Sequence, residues 1–398
     1  MNSRMNRVGT GIAALLLSAA TLTLGAKPSN AFPMFARKFH FQCARCHTMV
    51  PRLTPFGYAF LRAGFRLPSN QVKPITFSNS VAMSIVSLTA QSRTSPNISI
   101  AGMDTALATS LGKNFAVHVR YTTGFKGGSQ SGFSDLWAQY NTGARGTYWT
   151  ARIGQIPVVD GFNLMGDHRT IAIADAQLYG SLGPLNNVNS ALGDFGIGGY
   201  ETGVQAGYVT GPLYTRLSWL YGVKQDGSTQ DITYNGKAFH DVVLQSEYLI
   251  GNQGTSIGAM YYNGRRELST IGIEDNFYRA GLFGTYDRFL GKVRRGIPTW
   301  QLELNGGLLY GVDDVAAGKP VASYATIIEG DLYFNHKTAF MVRYDSARMA
   351  GITGIPVTGQ YTFSLANRPA QNLILNAEYI KVNNPGSDSL TGMVTFLY

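Results

Sequence analysis

The sequence has few cysteines, few charges and, beyond residue 31, no long apolar segment. Its two cysteines, Cys43 and Cys46, are accompanied by no second C-x-x-C and no H-x-x-H, which argues against a four-ligand zinc site. Charged residues make up 14% of the chain and lysines form no run, so nucleic acid is not expected as a partner despite the formal net charge of +10. No hydrolytic, phosphate-binding or nucleotide motif occurs.

The first 31 residues have the pattern of a cleaved secretory signal peptide. Arg4 and Arg7 form a basic start, residues 12–26 form an apolar run, and residues 29–31 supply a small-residue cleavage site. The apolar run is too short for a membrane anchor. We therefore predict an exported protein whose mature chain begins at Phe32.

Residues 43–47 read Cys-Ala-Arg-Cys-His, the C-x-x-C-H attachment signal of a c-type haem. Two thiols a helical turn apart can reach the two vinyl groups of one porphyrin, and the adjacent imidazole can then ligate the iron. The motif predicts one covalently bound haem c, held by Cys43 and Cys46, with His47 as the proximal iron ligand. A plain disulfide and another metal site remain alternatives.

From about residue 71 onwards, apolar and polar residues alternate in segments of nine to thirteen residues separated by turns. In residues 115–121 and 373–379, for example, every second residue is apolar or aromatic, and charged or polar residues occupy the other face. Alternation of this length is typical of a strand with lipid on one side and water on the other. The pattern predicts an all-β fold, a transmembrane antiparallel β-barrel of about 16 strands over residues 71–398.

The connections and the carboxyl terminus agree with a barrel of the bacterial outer membrane. Every second connection is tight, and the intervening ones are mostly longer, as for periplasmic turns and extracellular loops. The tight turns fall at residues 112–114, 141–146, 211–212, 251–253, 335–337 and 367–371. The chain ends on an alternating strand with Tyr398 last, which resembles the signal read by barrel-assembly machinery. We predict that the protein lies in the outer membrane.

A short helix is predicted between the motif and the barrel. Thr54 followed by Pro55 forms a helix start, and Gly64 is placed to end the helix. One face is apolar at helical spacing, and it consists of Phe56, Ala59, Phe60 and Ala63. Residues 32–70 are too few to enclose a haem alone. We therefore expect them to form a small haem-binding α-helical plug at the periplasmic mouth of the barrel.

Residues 33–66 also carry a family resemblance. Its motifs are Phe35-Ala36-Arg37, Cys43 to His47, Pro51-Arg52-Leu53, Phe56-Gly57, Phe60 and Gly64-Phe65. They resemble the N-terminus of fused monohaem cytochrome–porins, outer-membrane proteins best known from iron-oxidising bacteria. The resemblance implies an oxidoreductase-type electron-transfer role. Electrons would pass from extracellular Fe(II), or another redox metal, to a periplasmic cytochrome or cupredoxin-type carrier, and the barrel would contact outer-membrane lipid. A diffusion porin with an accessory or sensory haem is the alternative function.

The sequence leaves the distal iron ligand open among four residues. His118 and Met341 face the lumen by strand parity near the periplasmic end, while Met34 and His40 stand just before the motif. An open or water-ligated iron is a further alternative, and a methionine ligand would raise the reduction potential relative to a second histidine.

Strand parity also predicts a lumen lined by both signs of charge. Its members are Arg120, Arg152, Arg216, Arg279, Arg343, Asp104, Asp135, Glu247, Glu303, Glu329, Asp331 and Glu378. Asp160, Asp167, Asp313 and Asp314 are expected near the outer end, where carboxylates could attract Fe(II). For each of these residues, an ordinary polar channel lining is the favoured interpretation.

Overall fold

The structure is a computed structural model. It describes residues 35, 39, 41–50, 52–66, 83–92, 96–111, 114–124, 132–144, 146–159, 171–172, 197, 200–221, 240–252, 254–268, 273–294, 297–315, 320–349, 358–370, 373–383 and 388–397. No helix within these ranges is long and apolar enough to cross a membrane. The predicted signal peptide and the boundary near residue 70 lie outside the described residues.

Sixteen antiparallel strands form a closed barrel, which confirms the predicted fold class. The last strand pairs with the first, with Leu390 opposite Ser92, so the sheet has no free edge. In chain order the strands β1 to β16 are Met83–Ser92, Pro96–Leu111, Phe115–Gly124, Gly132–Ala144, Thr147–Pro157, Tyr200–Thr210, Leu213–Leu220, Asp241–Ile250, Thr255–Leu268, Ile273–Phe289, Trp300–Val315, Val321–Phe334, Thr338–Met349, Thr358–Ala370, Leu373–Val382 and Ser389–Leu397.

The strands carry an apolar outer face and a polar inner face. On β5, Trp149 and Ile153 are 56% and 62% exposed, whereas their neighbours Thr150 and Arg152 are buried towards the lumen. Large apolar and aromatic side chains are exposed in the same alternating way on most strands. In water such a belt would be costly, but in a bilayer it faces hydrocarbon. The protein is therefore a barrel of the bacterial outer membrane.

The tight turns lie at one end of the barrel, the periplasmic end. One further connection at this end, between Leu290 and Thr299, is not among the tight turns of the sequence pattern. This longer connection contains a two-residue ladder of Val293–Arg294 with Ile297–Pro298.

The parity assignment of the lumen is confirmed for ten residues that are buried, whereas Arg120 is half-buried and the Asp104 side chain lies outside the described residues. Inside lie Arg152, Arg216, Arg279, Arg343, Asp135, Glu247, Glu303, Glu329, Asp331 and Glu378. Of the carboxylates expected near the outer end, Asp160 and Asp167 lie outside the described residues, and Asp313 follows the favoured interpretation of an ordinary lining residue. Asp313 is fully buried, and its Oδ1 accepts a hydrogen bond from Arg279 Nη2 at 2.5 Å. Its neighbour Asp314 is exposed because it points to the other face.

Within the described residues 41–50 and 52–66, the N-terminal segment contains three short elements. A 3₁₀ turn, Cys43–Arg45, is followed by a small hairpin of His47–Met49 with Arg52–Leu53 and then by helix α1, Pro55–Arg62. The Thr54 hydroxyl caps α1 by accepting a hydrogen bond from the Gly57 N–H at 3.1 Å, as the sequence predicts.

The end of α1 also follows the prediction, but its buried face does not. Gly64 has a φ of +64°, a conformation that favours glycine, and the chain leaves the helix there. Ala59, predicted on the buried face, is exposed, whereas Gly57, Tyr58, Phe60 and Arg62 are buried. The helix lies inside a polar lumen, so its contacts include wall carboxylates as well as apolar side chains.

Candidate functional site

The N-terminal segment sits inside the periplasmic mouth and is tied to the barrel wall by two buried ion pairs. Arg52 Nε donates to Glu303 Oε2 at 3.0 Å, near the start of β11. On α1, Arg62 Nη2 donates to Glu247 Oε2, near the end of β8. All four side chains are at most 7% exposed. The predicted plug is therefore present, and the wall carboxylates neutralise its inward arginines.

Arg62 has further partners around the lumen. Its guanidinium lies 4.2 Å from the ring centroid of Tyr214 on β7, a cation–π distance. Its backbone carbonyl accepts a hydrogen bond from Gln139 Nε2 on β4 at 2.8 Å. Contacts with three strands fix the end of α1 against the wall.

A continuous cluster of aromatic rings links the plug to β3 and β4. Within the plug it comprises Phe35, Phe39, Phe41, Phe56, Phe60 and Phe65, with neighbouring centroids 4.9 to 6.4 Å apart. Phe65 stacks on Trp137 of the wall at 5.7 Å. These rings exclude water from one side of the plug and contribute packing beyond the ion pairs.

The C-x-x-C-H residues occupy one tight turn that α1 supports. The Cys46 N–H donates to the Cys43 carbonyl at 3.1 Å, and the Cys46 carbonyl accepts from the Thr54 N–H at 2.9 Å. The Thr54 hydroxyl, besides capping α1, donates to the Arg45 carbonyl at 2.9 Å. A Cβ at Gly57 would collide with the Cys46 carbonyl, so only glycine allows this close approach of helix and turn.

Both cysteines are free, half-buried thiols, so the structure does not form the alternative Cys43–Cys46 disulfide. Burial raises the pKa of the Cys46 thiol to about 11, so this thiol is neutral at neutral pH. Arg368, at the periplasmic end of β14, places Nη2 3.4 Å from Cys43 Sγ. The motif therefore lies at the rim, beside the wall between β13 and β14.

The turn between β12 and β13 also contacts the motif. His336 Nδ1 lies 2.7 Å from the Thr48 carbonyl, one residue after His47. Asn335 and His336 have positive φ values of 49° and 55°, so the turn adopts a left-handed conformation that brings the imidazole towards the plug. Burial lowers the pKa of His336, and the Arg368 guanidinium lowers it further.

The side chains of the C-x-x-C-H motif supply the thiols and the imidazole nitrogen that a covalent haem requires. Two free thiols stand on one turn, with an imidazole directly after them and with apolar rings of the plug nearby. Among the residues that the structure describes, no group of three or more His, Cys, Asp or Glu is arranged to hold a metal ion by itself. If haem c is attached, Cys43 and Cys46 would hold it, and His47 would supply the proximal nitrogen.

The two described candidates for the distal ligand lie against different parts of the plug. His118 contacts Phe65 at 5.6 Å and Trp137 at 5.2 Å, and its Nδ1 is 3.9 Å from Asp135 Oδ2. Met341 is fully buried in a separate cluster with Met49. His118 thus borders the aromatic cluster, and Met341 borders the hairpin that follows His47. Met34 and His40 lie outside the described residues.

Four residues that contact the motif or anchor the plug were not predicted from the sequence. They are Arg52, Arg62, His336 and Arg368. Their partners are 185 to 325 residues away in the chain, so no local pattern identifies them. Two features of the sequence could have indicated the ion pairs. One is an arginine on the buried side of the short plug, and the other is the set of lumen carboxylates near the periplasmic strand ends.

The closed sixteen-stranded sheet, with its apolar outer belt and charged lumen, defines an outer-membrane barrel of the porin fold. No protein-family model matches the chain. No curated protein matches it.

Solved structures of the same fold come from several bacteria. The chain is similar to the outer membrane channel DcaP of Acinetobacter baumannii, with 9% identity over 82% of this chain and 100% of that one and a TM-score of 0.53. It is also similar to a loop L8 deletion mutant of OmpT, an outer membrane protein of Vibrio cholerae. The identity is 11% over 80% of this chain and 97% of that one, and the TM-score is 0.52. A third similar structure is an anion-selective porin from Comamonas acidovorans. The identity is 12% over 80% of this chain and 99% of that one, and the TM-score is 0.50. At these identities the likeness establishes the fold.

Proposed function

We propose that this protein is an outer-membrane barrel of the fused monohaem cytochrome–porin kind, which carries one haem c at its periplasmic mouth and transfers electrons across the outer membrane. The observation that carries the proposal is the position of the C-x-x-C-H turn. Cys43, Cys46 and His47 are held at the rim, where the motif is half-buried and Arg45 is exposed. When bound there, haem c would supply one-electron redox chemistry.

The residues of this chain would position and shield such a group. Cys43 and Cys46 would form the two thioether bonds, and the capped turn at Thr54 holds their spacing. Arg52 and Arg62 keep the segment docked through Glu303 and Glu247. Arg45 of the motif lies over the ring of Phe56, so the phenylalanine cluster borders the motif. The plug and the wall thus together provide the enclosure that residues 32–70 lack alone.

The donor that we propose is Fe(II), or another redox metal, arriving from outside through the lumen, and the acceptor is a periplasmic cytochrome or cupredoxin-type carrier. Carboxylates are ligands that hard cations favour, and Asp314 and Asp388 are exposed at the outer end of the barrel. The inner wall carries both signs of charge, and Arg343 Nε lies 2.9 Å from Asp345 Oδ2 there.

The haem part of the proposal is tested with the purified barrel from a host that performs haem c maturation. We expect a covalent haem stain and a Soret band in the wild type, and loss of both in a Cys43→Ser/Cys46→Ser variant. His47→Ala should keep the stain but change the spectrum, because thioether attachment does not need the imidazole. A matched His240→Ala control changes a histidine distant from the motif and should leave stain and spectrum unchanged. A wild type without a Soret band would refute haem binding.

A diffusion porin with an accessory haem is the second candidate, and the porin fold together with the charged lumen favours it. Stopped-flow mixing with Fe(II) and planar-bilayer conductance separate the two. Reduction of the haem by Fe(II) with low ion conductance supports the conduit. A haem that stays oxidised in excess Fe(II), in a barrel with porin-like conductance, supports the diffusion porin.

A further inference from the structure

The plug has an unusual charge balance. The first acidic residue of the whole chain is Asp104, so every charged side chain of residues 32–66 is a cation. Two of these cations, Arg52 and Arg62, point into the lumen and are neutralised by Glu303 and Glu247. Arg45, inside the C-x-x-C-H motif, is instead exposed and lies over the ring of Phe56 at 4.4 Å.

Cations of the periplasmic turns continue this surface. Lys337 is exposed in the turn that contacts the plug, and its carbonyl accepts a hydrogen bond from the Arg368 N–H at 2.6 Å. The Arg368 guanidinium in turn reaches Cys43. On the other side, the Asn335 N–H donates to the Thr299 carbonyl at 2.9 Å.

The surface ends at the hairpin between Leu290 and Thr299. The Thr299 hydroxyl donates to the carbonyl of Lys292 at 2.8 Å, and the Lys292 side chain is exposed. Hydrogen-bonded neighbours thus connect Lys292 to Lys337, Arg368 and, through the motif, Arg45. We call these four cations the rim patch.

The carboxylates near the rim patch do not offset it at the surface. Asp287, Glu303 and Asp331 lie on β10, β11 and β12 close to the same end, and each is at most 5% exposed because it points into the lumen. No acidic side chain is exposed at the periplasmic ends of the strands within the described ranges.

We propose that the rim patch is a docking surface for the acidic face of a soluble periplasmic protein, held around the C-x-x-C-H turn. The assignment of the partner as an electron carrier rests on the proposed function. The expectation that its docking face is acidic rests on the rim patch alone. Complementary charges of this kind raise the association rate and orient the partner, and their effect decreases with salt. Anionic lipid is the competing occupant at Lys292 in the hairpin, but Arg45 belongs to the C-x-x-C-H motif and Arg368 lies beside it.

The test uses a fluorescein-labelled twelve-residue polyglutamate peptide and the full barrel in discs of zwitterionic lipid. We expect Lys292→Glu and Lys337→Glu each to weaken binding about 3- to 10-fold at low salt. This is the effect expected when one exposed charge within about 7 Å of an opposite charge in water is reversed. The matched control is Lys381→Glu, an exposed lysine at the extracellular end of β15, which should change binding less than 2-fold.

Three outcomes would overturn the proposal. One is equal weakening by Lys381→Glu and the two rim variants, and another is the absence of salt-dependent binding. The third is an effect of the rim variants only in discs that contain phosphatidylglycerol, which would assign the patch to lipid. The same titration in the Cys43→Ser/Cys46→Ser background keeps this result separate from the haem proposal, because peptide binding requires no haem.

Discussion

The ion pair between Arg62 and Glu247 offers the sharpest test of how the plug is held. Both side chains are buried, at 7% and 4% exposure, and they join α1 to β8 across 185 residues of sequence. Arg62→Met keeps the length of the side chain but leaves the Glu247 carboxylate without its partner in the lumen. Removing one member of a buried pair costs about 3–5 kcal/mol, because the remaining charge stays desolvated. The cation–π contact with Tyr214 is lost as well.

That free energy corresponds to a factor of about 10² to 10⁴ in the ratio of docked to released plug. The assay is the rate of protease cleavage within residues 32–66 in detergent, together with single-channel conductance, which should rise as the mouth opens. The double variant Arg62→Met/Glu247→Leu should recover most of the protection, since two apolar side chains can replace a buried pair with little loss. Lys381→Met, an exposed lysine outside the plug contacts, is the matched control and should behave like the wild type.

A double-mutant cycle over Arg62 and Glu247 isolates the coupling between them. We expect a coupling above about 1.5 kcal/mol, as for close charge pairs in interfaces. If Arg62→Met remains as protected as the wild type and the coupling is below about 0.5 kcal/mol, the ion pair does not hold the plug. The aromatic cluster around Phe60 and Phe65 would then be the anchor.

Further predictions concern the motif turn and its contact with the rim. Gly57→Ala places a Cβ against the Cys46 carbonyl and should destabilise the docked turn by about 1–3 kcal/mol, seen as a lower yield of covalent haem per barrel. Ala59→Ser on the exposed side of α1 is its control, and equal yields would contradict the packing argument. His336 has a folded-state pKa below its ordinary value of 6.5, so its contribution to docking should be present above about pH 6.5 and be lost as the pH falls. Protease protection measured from pH 8 to 5 should show this loss, and a His336→Gln variant should flatten it.

Much of the barrel was predictable because its pattern is local. A strand with lipid on one side and a polar lumen on the other must alternate residue by residue, so parity alone placed Arg152, Arg216 and Arg279 inside. Parity also separates Asp313, which faces the lumen, from Asp314, which faces outward.

The helix of the plug was likewise predictable at its ends. A hydroxyl at Thr54, proline at Pro55 and glycine at Gly64 satisfy requirements of the backbone that do not depend on distant residues. The buried face of α1 was less predictable from the sequence. Ala59 is exposed and Arg62 is buried because the environment of α1 is a charged lumen, where an arginine finds Glu247 and where apolar spacing is an incomplete guide.

The sequence by itself determined the export pattern, the C-x-x-C-H spacing, the alternation of the strands and the start and end of α1. Each of these depends on residues a few positions apart. Only the tertiary structure decided where the motif lies and what surrounds it. Closure of the sheet brings Glu303, His336 and Arg368 to the mouth from distant strands, and docking then pairs them with the plug. Such contacts join residues hundreds of positions apart, and their energies arise from burial that exists only in the closed barrel.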